Sequence, residues 1–174
     1  MRYREAIVDN LSQVDTGGNA RKLPGMFGDR RKRILLVDDH ALVRQGLERL
    51  LDLGDEFVVC EEAGTAAEGL KQVREMRPDA VIVDVGLPGG TNGIELTKKL
   101  RNEFPDVVVL ILSAHDEPKY VRGAAKAGAM GYVLKDEAVE NLRIALRRAF
   151  NGRRTFNPDL LGEEDLSHSR YFSE

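Results

Sequence analysis

The sequence lacks the features that mark secreted or membrane proteins. Only one of its 174 residues, Cys60, is a cysteine, so no disulfide can form within the chain and a reducing compartment fits best. No apolar run approaches the roughly 18 residues of a transmembrane helix. The charged first ten residues lack the apolar segment of a secretory signal. We therefore expect a cytoplasmic protein that does not enter a membrane.

A strong excess of one charge is also missing. The chain has 26 basic and 29 acidic residues, a net charge of −3, which gives no general attraction to nucleic acid or anionic lipid. The charges are uneven, however: residues 1–33 hold eight basic and four acidic side chains, whereas residues 34–151 hold 15 and 20. The basic run at residues 30–33 could contact nucleic acid or lipid, or be a solvated flank. We expect the flank, and no specific nucleic-acid binding by this chain.

Zinc chemistry is not indicated, because His115 and His168 have no partners at ligand spacing. The third histidine, His40, is expected at the exposed start of a helix. Residues 1–32 contain residue pairs that interrupt helices and strands, such as Pro24-Gly25, and we expect a flexible basic extension there. Ile7, Leu11 and Val14 nevertheless have the spacing of a short amphipathic helix.

Five short apolar runs, rich in Val and Ile, recur along the rest of the chain. They occupy residues 34–37, 57–60, 80–83, 107–112 and 132–134. They are continuous rather than alternating, which is typical of strands buried on both faces of a parallel sheet. Each is followed by a helical pattern. This order predicts an α/β fold in one domain: a (βα)5, doubly wound, five-stranded parallel sheet with helices on both faces.

The helical patterns have recognisable starts and ends. Thr65 and Glu68 form a predicted capping box, Asn92 precedes the third helix, and Asp116 is a candidate N-cap with Pro118 in the first turn. The five helices are expected near residues 41–53, 65–77, 92–104, 116–128 and 138–151. The last has an apolar stripe made of Val139, Leu142, Leu146 and Ala149.

Polar residues follow four of the predicted strands. They are Asp38 and Asp39, Asp84, Ser113, and Lys135. The carboxyl ends of parallel strands share one edge of a sheet, where such folds bind their ligands. Three neighbouring carboxylates repel each other and require a cation, and hard oxygen ligands suit Mg²⁺. A lysine and a hydroxyl beside that cation suit a phosphoryl group. The sequence thus predicts a Mg²⁺ site that handles a phosphoryl group.

These residues carry a family resemblance. The segments Val37-Asp38-Asp39-His40, Asp84-Val85-Gly86-Leu87-Pro88, Ser113-Ala114 and Gly131-Tyr132-Val133-Leu134-Lys135 resemble the motifs of the response-regulator receiver domain. The similarity covers residues 33–152, and its details are closest to receivers that usually precede a LuxR-type helix-turn-helix. The resemblance implies the flavodoxin-like strand order 2-1-3-4-5.

The resemblance also implies roles for the residues at the strand ends. Asp84 would be the nucleophile that accepts the phosphoryl group from a histidine kinase or a histidine phosphotransfer protein. Asp39, Asp84 and the backbone carbonyl of Gly86 would bind Mg²⁺, with Asp38 acting through water or as a supporting acid. Lys135 would pair with a phosphoryl oxygen.

Two further residues would form a switch. Ser113 would hydrogen-bond a phosphoryl oxygen, and Tyr132 would swing inward when Ser113 moves, although Tyr132 could equally serve packing alone. The sequence departs from the family pattern twice. The loop at residues 88–93 is one residue longer than usual, and Asp136 follows Lys135 where many receivers have a cis-proline, which leaves that bond's geometry open.

Two other functions compete with that of a signalling receiver. A metal-dependent aspartyl phosphohydrolase of the haloacid-dehalogenase type needs an acid two residues after its nucleophile, where this chain has Gly86. The chain could also be the receiver of a LuxR-type DNA-binding regulator. Residues 153–174 are too few for a helix-turn-helix domain, so we expect only a tail there, and a homodimer on phosphorylation is conceivable.

Overall fold

The computed structural model describes residues 31–161. Its strands are β1 (Lys32–Val37), β2 (Phe57–Ala63), β3 (Ala80–Val83), β4 (Val108–Ser113) and β5 (Gly131–Leu134). Its α-helices are α1 (Ala41–Leu51), α2 (Ala66–Met76), α3 (Gly93–Glu103), α4 (Pro118–Lys126), α5 (Ala138–Phe150) and α6 (Pro158–Leu161). The expected extension and its possible helix lie almost entirely outside the described residues, as does the end of the predicted tail.

The five strands form one parallel sheet in the order β2-β1-β3-β4-β5. The predicted fold class and strand order are therefore confirmed. In this order the chain leaves β1 toward one edge and returns to β3 on its other side. Val37 pairs with Val83 across the two central strands, so the residues after them emerge side by side. This point of divergence is where such sheets bind ligands.

The sheet is covered on both faces, which explains the continuous apolar runs. Alternate residues of each central strand face opposite layers, because side chains alternate along a strand. Leu35 and Val37 pack with α2, α3 and α4, whereas Ile34 and Leu36 pack with α1 and α5. Burial of these large side chains on two faces supplies most of the driving force for folding.

Two helix starts follow the predicted capping signals, and a third does not. The Thr65 hydroxyl accepts from the Glu68 N–H, and Asn92 Oδ1 accepts from the Glu95 N–H. The prediction that Asp116 caps α4 was wrong. Glu117 occupies that position with no side-chain cap, and Pro118 is the first helical residue. Proline at the first helical position fixes the backbone there and has no N–H that would be left unpaired.

The apolar stripe predicted on α5 also needs a correction. Leu142, Leu146 and Ala149 are buried as expected, but Val139 is 70% exposed. The small residues Ala138 and Ala145 complete the buried face instead. The spacing therefore predicted three of the four members of the stripe correctly and misplaced only Val139.

Part of the segment predicted as a tail packs against the sheet. Thr155 forms a β-bridge with Gly131, and the short helix α6 buries Leu161. Within residues 31–161 no helix is long and apolar enough to cross a bilayer; the longest, α5, has 13 residues. All peptide bonds in this part of the chain are trans, including the bond between Lys135 and Asp136.

Candidate phosphoryl and cation site

Two buried carboxylates lie side by side at the ends of the central strands. The Asp84 N–H donates to the Val37 carbonyl over 2.8 Å, and the Asp38 N–H donates to the Ala63 carbonyl over 3.1 Å. Asp38 and Asp84 are only 3% and 6% exposed. Continued strand-to-strand bonding beyond β1 and β3 therefore holds both acids in an environment where an uncompensated charge is costly.

Lys135 compensates part of this charge. It follows β5 directly, and its ammonium lies 2.7 Å from Asp38 Oδ2 and 3.1 Å from Asp84 Oδ2. Burial opposes the charged form, but contact with the two carboxylates outweighs it and raises the pKa of Lys135 above its ordinary 10.5. The lysine therefore stays charged at neutral pH. The predicted convergence of Lys135 with the acids is observed.

Asp39 and His40 complete one side of the site. The Asp39 side chain is about one third exposed. The His40 N–H donates to Asp38 Oδ1 over 2.8 Å, and His40 Nδ1 lies 3.1 Å from Asp38 Oδ1 and 2.9 Å from Asp39 Oδ1. His40 begins α1 and is largely exposed, as expected, but its ring contacts the acids. His40 follows the acid pair directly in the sequence, but its contact with both carboxylates depends on the turn after β1.

The oxygen atoms of this cluster fit a divalent cation. One ligand atom from each of Asp38, Asp39, His40 and Asp84 lies within 4.8 Å of all the others. Asp38 Oδ2 is buried and accepts no aligned hydrogen bond, although Lys135 Nζ is close to it. A set of carboxylate oxygens with spare lone pairs suits Mg²⁺, which takes one or two carboxylates and keeps several waters.

Two glycines shape the approach to Asp84. A Cβ on Gly86 would lie 3.6 Å from Asp84 Oδ2, an ordinary van der Waals contact, so this residue adjoins the carboxylate without crowding it. A Cβ on Gly93 would overlap the backbone carbonyl of Asp84. The Gly93 N–H donates to the Val85 carbonyl over 3.0 Å, so the start of α3 rests on the chain that carries Asp84. Sequence reasoning did not assign Gly93 this positioning role; its place at the start of a helix was the available signal.

Arg44 is a second positioning residue that the sequence did not reveal. Its guanidinium donates to the Asp38 carbonyl and, over 2.8 Å, to Glu62 Oε2. It lies one turn into α1 and is mostly buried. Arg44 therefore ties the backbone of the acid pair to the neighbouring edge strand, β2.

Ser113 and Tyr132 are linked through the loop that follows β4. Ser113 is fully buried, and its Oγ accepts from the His115 N–H over 3.1 Å. The Tyr132 hydroxyl donates to the His115 carbonyl over 2.7 Å. Tyr132 is 8% exposed, so its ring already lies inward in this structure. Burial raises the pKa of the tyrosine above its ordinary 10.0 and favours the protonated hydroxyl.

Comparison with known protein families gives a match over most of the described chain. A family model of the response regulator receiver domain matches residues 34–147. Oxygen regulatory protein NreC of Staphylococcus epidermidis is 37% identical over 120 residues, which are 69% of this chain and 55% of that protein. Response regulator GacA of Pseudomonas viridiflava is 38% identical over 128 residues, 74% of this chain and 59% of that protein.

Solved structures agree with these sequence matches. A two-component response regulator of the LuxR family from Aurantimonas sp. SI85-9A1 superposes with a TM-score of 0.70 and 38% identity, covering 75% of this chain and 92% of that one. The present chain spans between half and two thirds of the length of both curated relatives. The match thus covers the domain whose strand ends carry the acids, the hydroxyl and the lysine.

Proposed function

This chain belongs to the response regulator receiver domain family, the signalling domain of two-component systems, and from that premise we propose that Asp84 is its phosphoacceptor. The donor is a histidine kinase or a histidine phosphotransfer protein. An Asp84 carboxylate oxygen attacks the phosphorus, and the P–N bond of the phosphohistidine breaks with its electron pair returning to the imidazole. Hydrolysis of the aspartyl phosphate resets the domain.

The contact between Lys135 and Asp84 carries this proposal. The ammonium lies 3.1 Å from the nucleophilic carboxylate and also contacts Asp38, so one cation already serves two buried acids. A phosphoryl group brings up to two more negative charges. Lys135 would pair with one of its oxygens, and the Ser113 hydroxyl would hydrogen-bond another once its loop moves.

Magnesium is the proposed cofactor. Asp39, Asp84 and the Gly86 carbonyl would hold it directly, and Asp38 would act from beside it or through water. When bound, Mg²⁺ neutralises charge on the carboxylates and on the transferring group. The residues of this chain orient the nucleophile: Gly93 supports the Asp84 backbone, Arg44 supports Asp38, and Lys135 draws both acids together.

Labelling with a small acyl-phosphate donor in the presence of Mg²⁺ tests the assignment. The wild-type chain should take one phosphoryl group and Asp84→Asn should take none. Asp106→Asn is a matched control, because Asp106 is an exposed acid in the turn before β4. It should label as the wild type does. Undiminished labelling of Asp84→Asn would refute the proposal.

A second candidate function is the receiver of a longer DNA-binding transcriptional regulator. It is favoured by the LuxR-family structural match and by the greater length of the curated relatives. In this view residues 33–152 form the receiver, and residues 1–32 and 153–174 flank it. The gene sequence beyond the codon for Glu174 would decide it. For the chain as given, we predict no sequence-specific footprint on DNA at physiological salt. Such a footprint would contradict the assignment of residues 33–152 as a receiver that does not itself bind DNA.

A further inference from the structure

The segment after α5 closes the outer edge of the sheet. We call residues 153–161 the strap. The Tyr132 N–H donates to the Thr155 carbonyl over 2.8 Å, and the Thr155 N–H donates to the Met130 carbonyl over 2.9 Å. β5 would otherwise be an edge strand with unpaired backbone groups, which invites pairing with another chain. The strap occupies that position from within the same chain.

The residue that faces Thr155 is a glycine, which the close approach requires. A Cβ on Gly131 would lie 2.8 Å from the Thr155 carbonyl oxygen and 2.9 Å from Leu110 Cδ2. Both distances are shorter than a carbon atom tolerates. Any larger residue at this position would push the strap away from β5.

The strap is also anchored to α4. Arg154 Nη2 donates to the carbonyls of Ala125 and Ala129 over 2.7 and 3.0 Å. Leu161 is 6% exposed and belongs to the same buried cluster as Val121 and Ala124 of α4. The strap therefore covers both β5 and α4, and a partner that uses this face has to displace it.

A chain of hydrogen bonds connects the strap to Ser113, which lies beside the proposed phosphoacceptor in the sheet register. Val83 pairs with Ile111, so Ser113 lies one residue beyond the position opposite Asp84. Ser113 accepts from the His115 N–H, and the His115 carbonyl accepts from the Tyr132 hydroxyl. The Tyr132 backbone then bonds the strap. These bonds link the Ser113 hydroxyl, through His115 and Tyr132, to the carbonyl of Thr155.

We infer that the strap is an intramolecular cover whose docking is coupled to the occupation of Asp84; this rests on the proposed function. When Ser113 moves toward a phosphoryl group, it draws the loop that carries His115 and breaks the contact with Tyr132. Both anchors of the strap, β5 and α4, adjoin that loop, so its docking weakens. Coupling of this kind is reciprocal: releasing the strap also favours the phosphorylated form.

Amide exchange at two positions measures docking directly in the full chain. The N–H groups of Tyr132 and Thr155 form the bonds between β5 and the strap. Leu161→Asp puts a charge into the buried anchor, and both amides should exchange at least about tenfold faster. Leu53→Asp is the matched control, because Leu53 is 78% exposed, and it should leave both amides unchanged.

Two additions keep this test decisive. Amides of β1 and β3 report in the same spectra whether the sheet is still folded. Arg154→Met, which removes the bonds to Ala125 and Ala129 without burying a charge, gives a second route to undocking. If both variants keep a folded sheet and wild-type exchange at Tyr132 and Thr155, the strap is not docked and the inference is overturned.

Coupling is measured with Mg²⁺ and beryllofluoride, a phosphoryl mimic that binds carboxylates. Exchange at Thr155 should be several-fold faster with the mimic. Tyr132→Phe removes the hydrogen bond from the hydroxyl to the His115 carbonyl. This variant should show faster exchange at Thr155 even in the absence of the mimic. If the mimic binds and neither change occurs, the coupling is refuted. If Asp84 binds neither the mimic nor a phosphoryl group, the proposed function fails. The Leu161→Asp and Tyr132→Phe variants still show, independently of that result, whether the strap is docked and whether Tyr132 contributes to its docking.

Discussion

The ammonium of Lys135 lies 3.1 Å from the Oδ2 atom of Asp84, although the two residues follow different strands, β5 and β3. The same nitrogen lies 2.7 Å from Asp38 Oδ2. One lysine at the end of β5 thus balances acids that follow β1 and β3. Its position next to the proposed phosphoacceptor means that an incoming phosphoryl oxygen would meet a positive charge already in place, with little reorganisation.

Replacing Lys135 should destabilise the fold, because the lysine offsets the repulsion between the carboxylates of Asp38 and Asp84. Lys135→Met leaves two buried carboxylates without a cation, and we expect a loss of about 2 kcal/mol in the free energy of unfolding without Mg²⁺. Saturating Mg²⁺ should restore part of the loss, because a divalent cation replaces the missing charge. Urea unfolding with and without Mg²⁺ measures both values. An equal loss under the two conditions would mean that the lysine and the metal do not share these acids.

Much of the fold could be predicted because burial on both faces leaves a simple pattern. The Val- and Ile-rich runs identified all five strands, and Thr65 and Asn92 marked helix starts through their capping oxygens. The predictions failed where several arrangements satisfy the same pattern. Asp116 and Glu117 are both plausible caps before Pro118, and the choice depends on the path of the loop after β4.

The site could be predicted in composition but not in its supporting contacts. Asp38, Asp84 and Lys135 meet because parallel strands end at one edge, which strand order alone implies. His40 and Arg44 reach the acids through the turn after β1 and through tertiary contacts with β2. The strap was missed because its bonds to β5 use backbone groups, whose pairing leaves no pattern in side chains.

Gly93 should be intolerant of substitution. A Cβ there meets the Asp84 carbonyl and, at 2.9 Å, Val83 Cγ1, so Gly93→Ala must move α3 or the Asp84 backbone. We expect a loss of about 2–3 kcal/mol in unfolding free energy and slower labelling of Asp84. Gly46→Ala is the control: it is also helical, has open space around a Cβ, and should gain about 0.5–1 kcal/mol. Equal effects of the two substitutions would exclude the proposed contact.

Glu56 should make the free energy of unfolding depend on pH in the acid range. Its carboxylate accepts hydrogen bonds from Arg147 and Arg143 of α5. The hydrogen bond from Arg147 leads in lowering the pKa of Glu56 from 4.5 to about 2, against the opposing effect of burial. A lowered pKa means that this contribution is present above pH 4.5 and is lost as the pH falls toward 2.

NMR titration of the Glu56 side chain checks this value. Arg147→Met should raise the pKa toward 4.5 and reduce the acid dependence of unfolding between pH 4.5 and 2. Arg153→Met, at an exposed arginine just beyond α5, should change neither. A Glu56 pKa that stays near 2 in Arg147→Met would show that the bond is not its cause.

Asp39 should matter more for the metal than for the fold. Its side chain is partly exposed, and it is the outermost of the three acids. We expect Asp39→Asn to weaken Mg²⁺ binding at least tenfold, because a neutral amide replaces a charged ligand. Its unfolding free energy without Mg²⁺ should change by less than about 1 kcal/mol, since no buried charge is left unpaired. Calorimetric titration with Mg²⁺ gives the first value, and unchanged affinity would remove Asp39 from the ligand set.

Ser113 should separate phosphorylation from the response to it. Its hydroxyl is buried and accepts from the His115 N–H, and it is not the proposed nucleophile. Ser113→Ala should therefore keep labelling of Asp84 within a fewfold of wild type. Without the hydroxyl, however, residue 113 cannot hydrogen-bond the phosphoryl group. The loop at residues 114–117 then stays in place, and the hydrogen bond between Tyr132 and His115 is kept.

Amide exchange across residues 114–135 distinguishes these outcomes. In the wild type, exchange in this region should rise on phosphorylation, because α4 and β5 lose the contacts that hold the loop. In Ser113→Ala, the labelled and unlabelled proteins should give the same exchange. Thr97→Val serves as a control for removing a buried hydroxyl, because Thr97 donates only to the Gly93 carbonyl of its own helix. If Ser113→Ala shows the same rise in exchange on phosphorylation as the wild type, a residue other than Ser113 starts the movement. Lys135 would then be the next residue to replace.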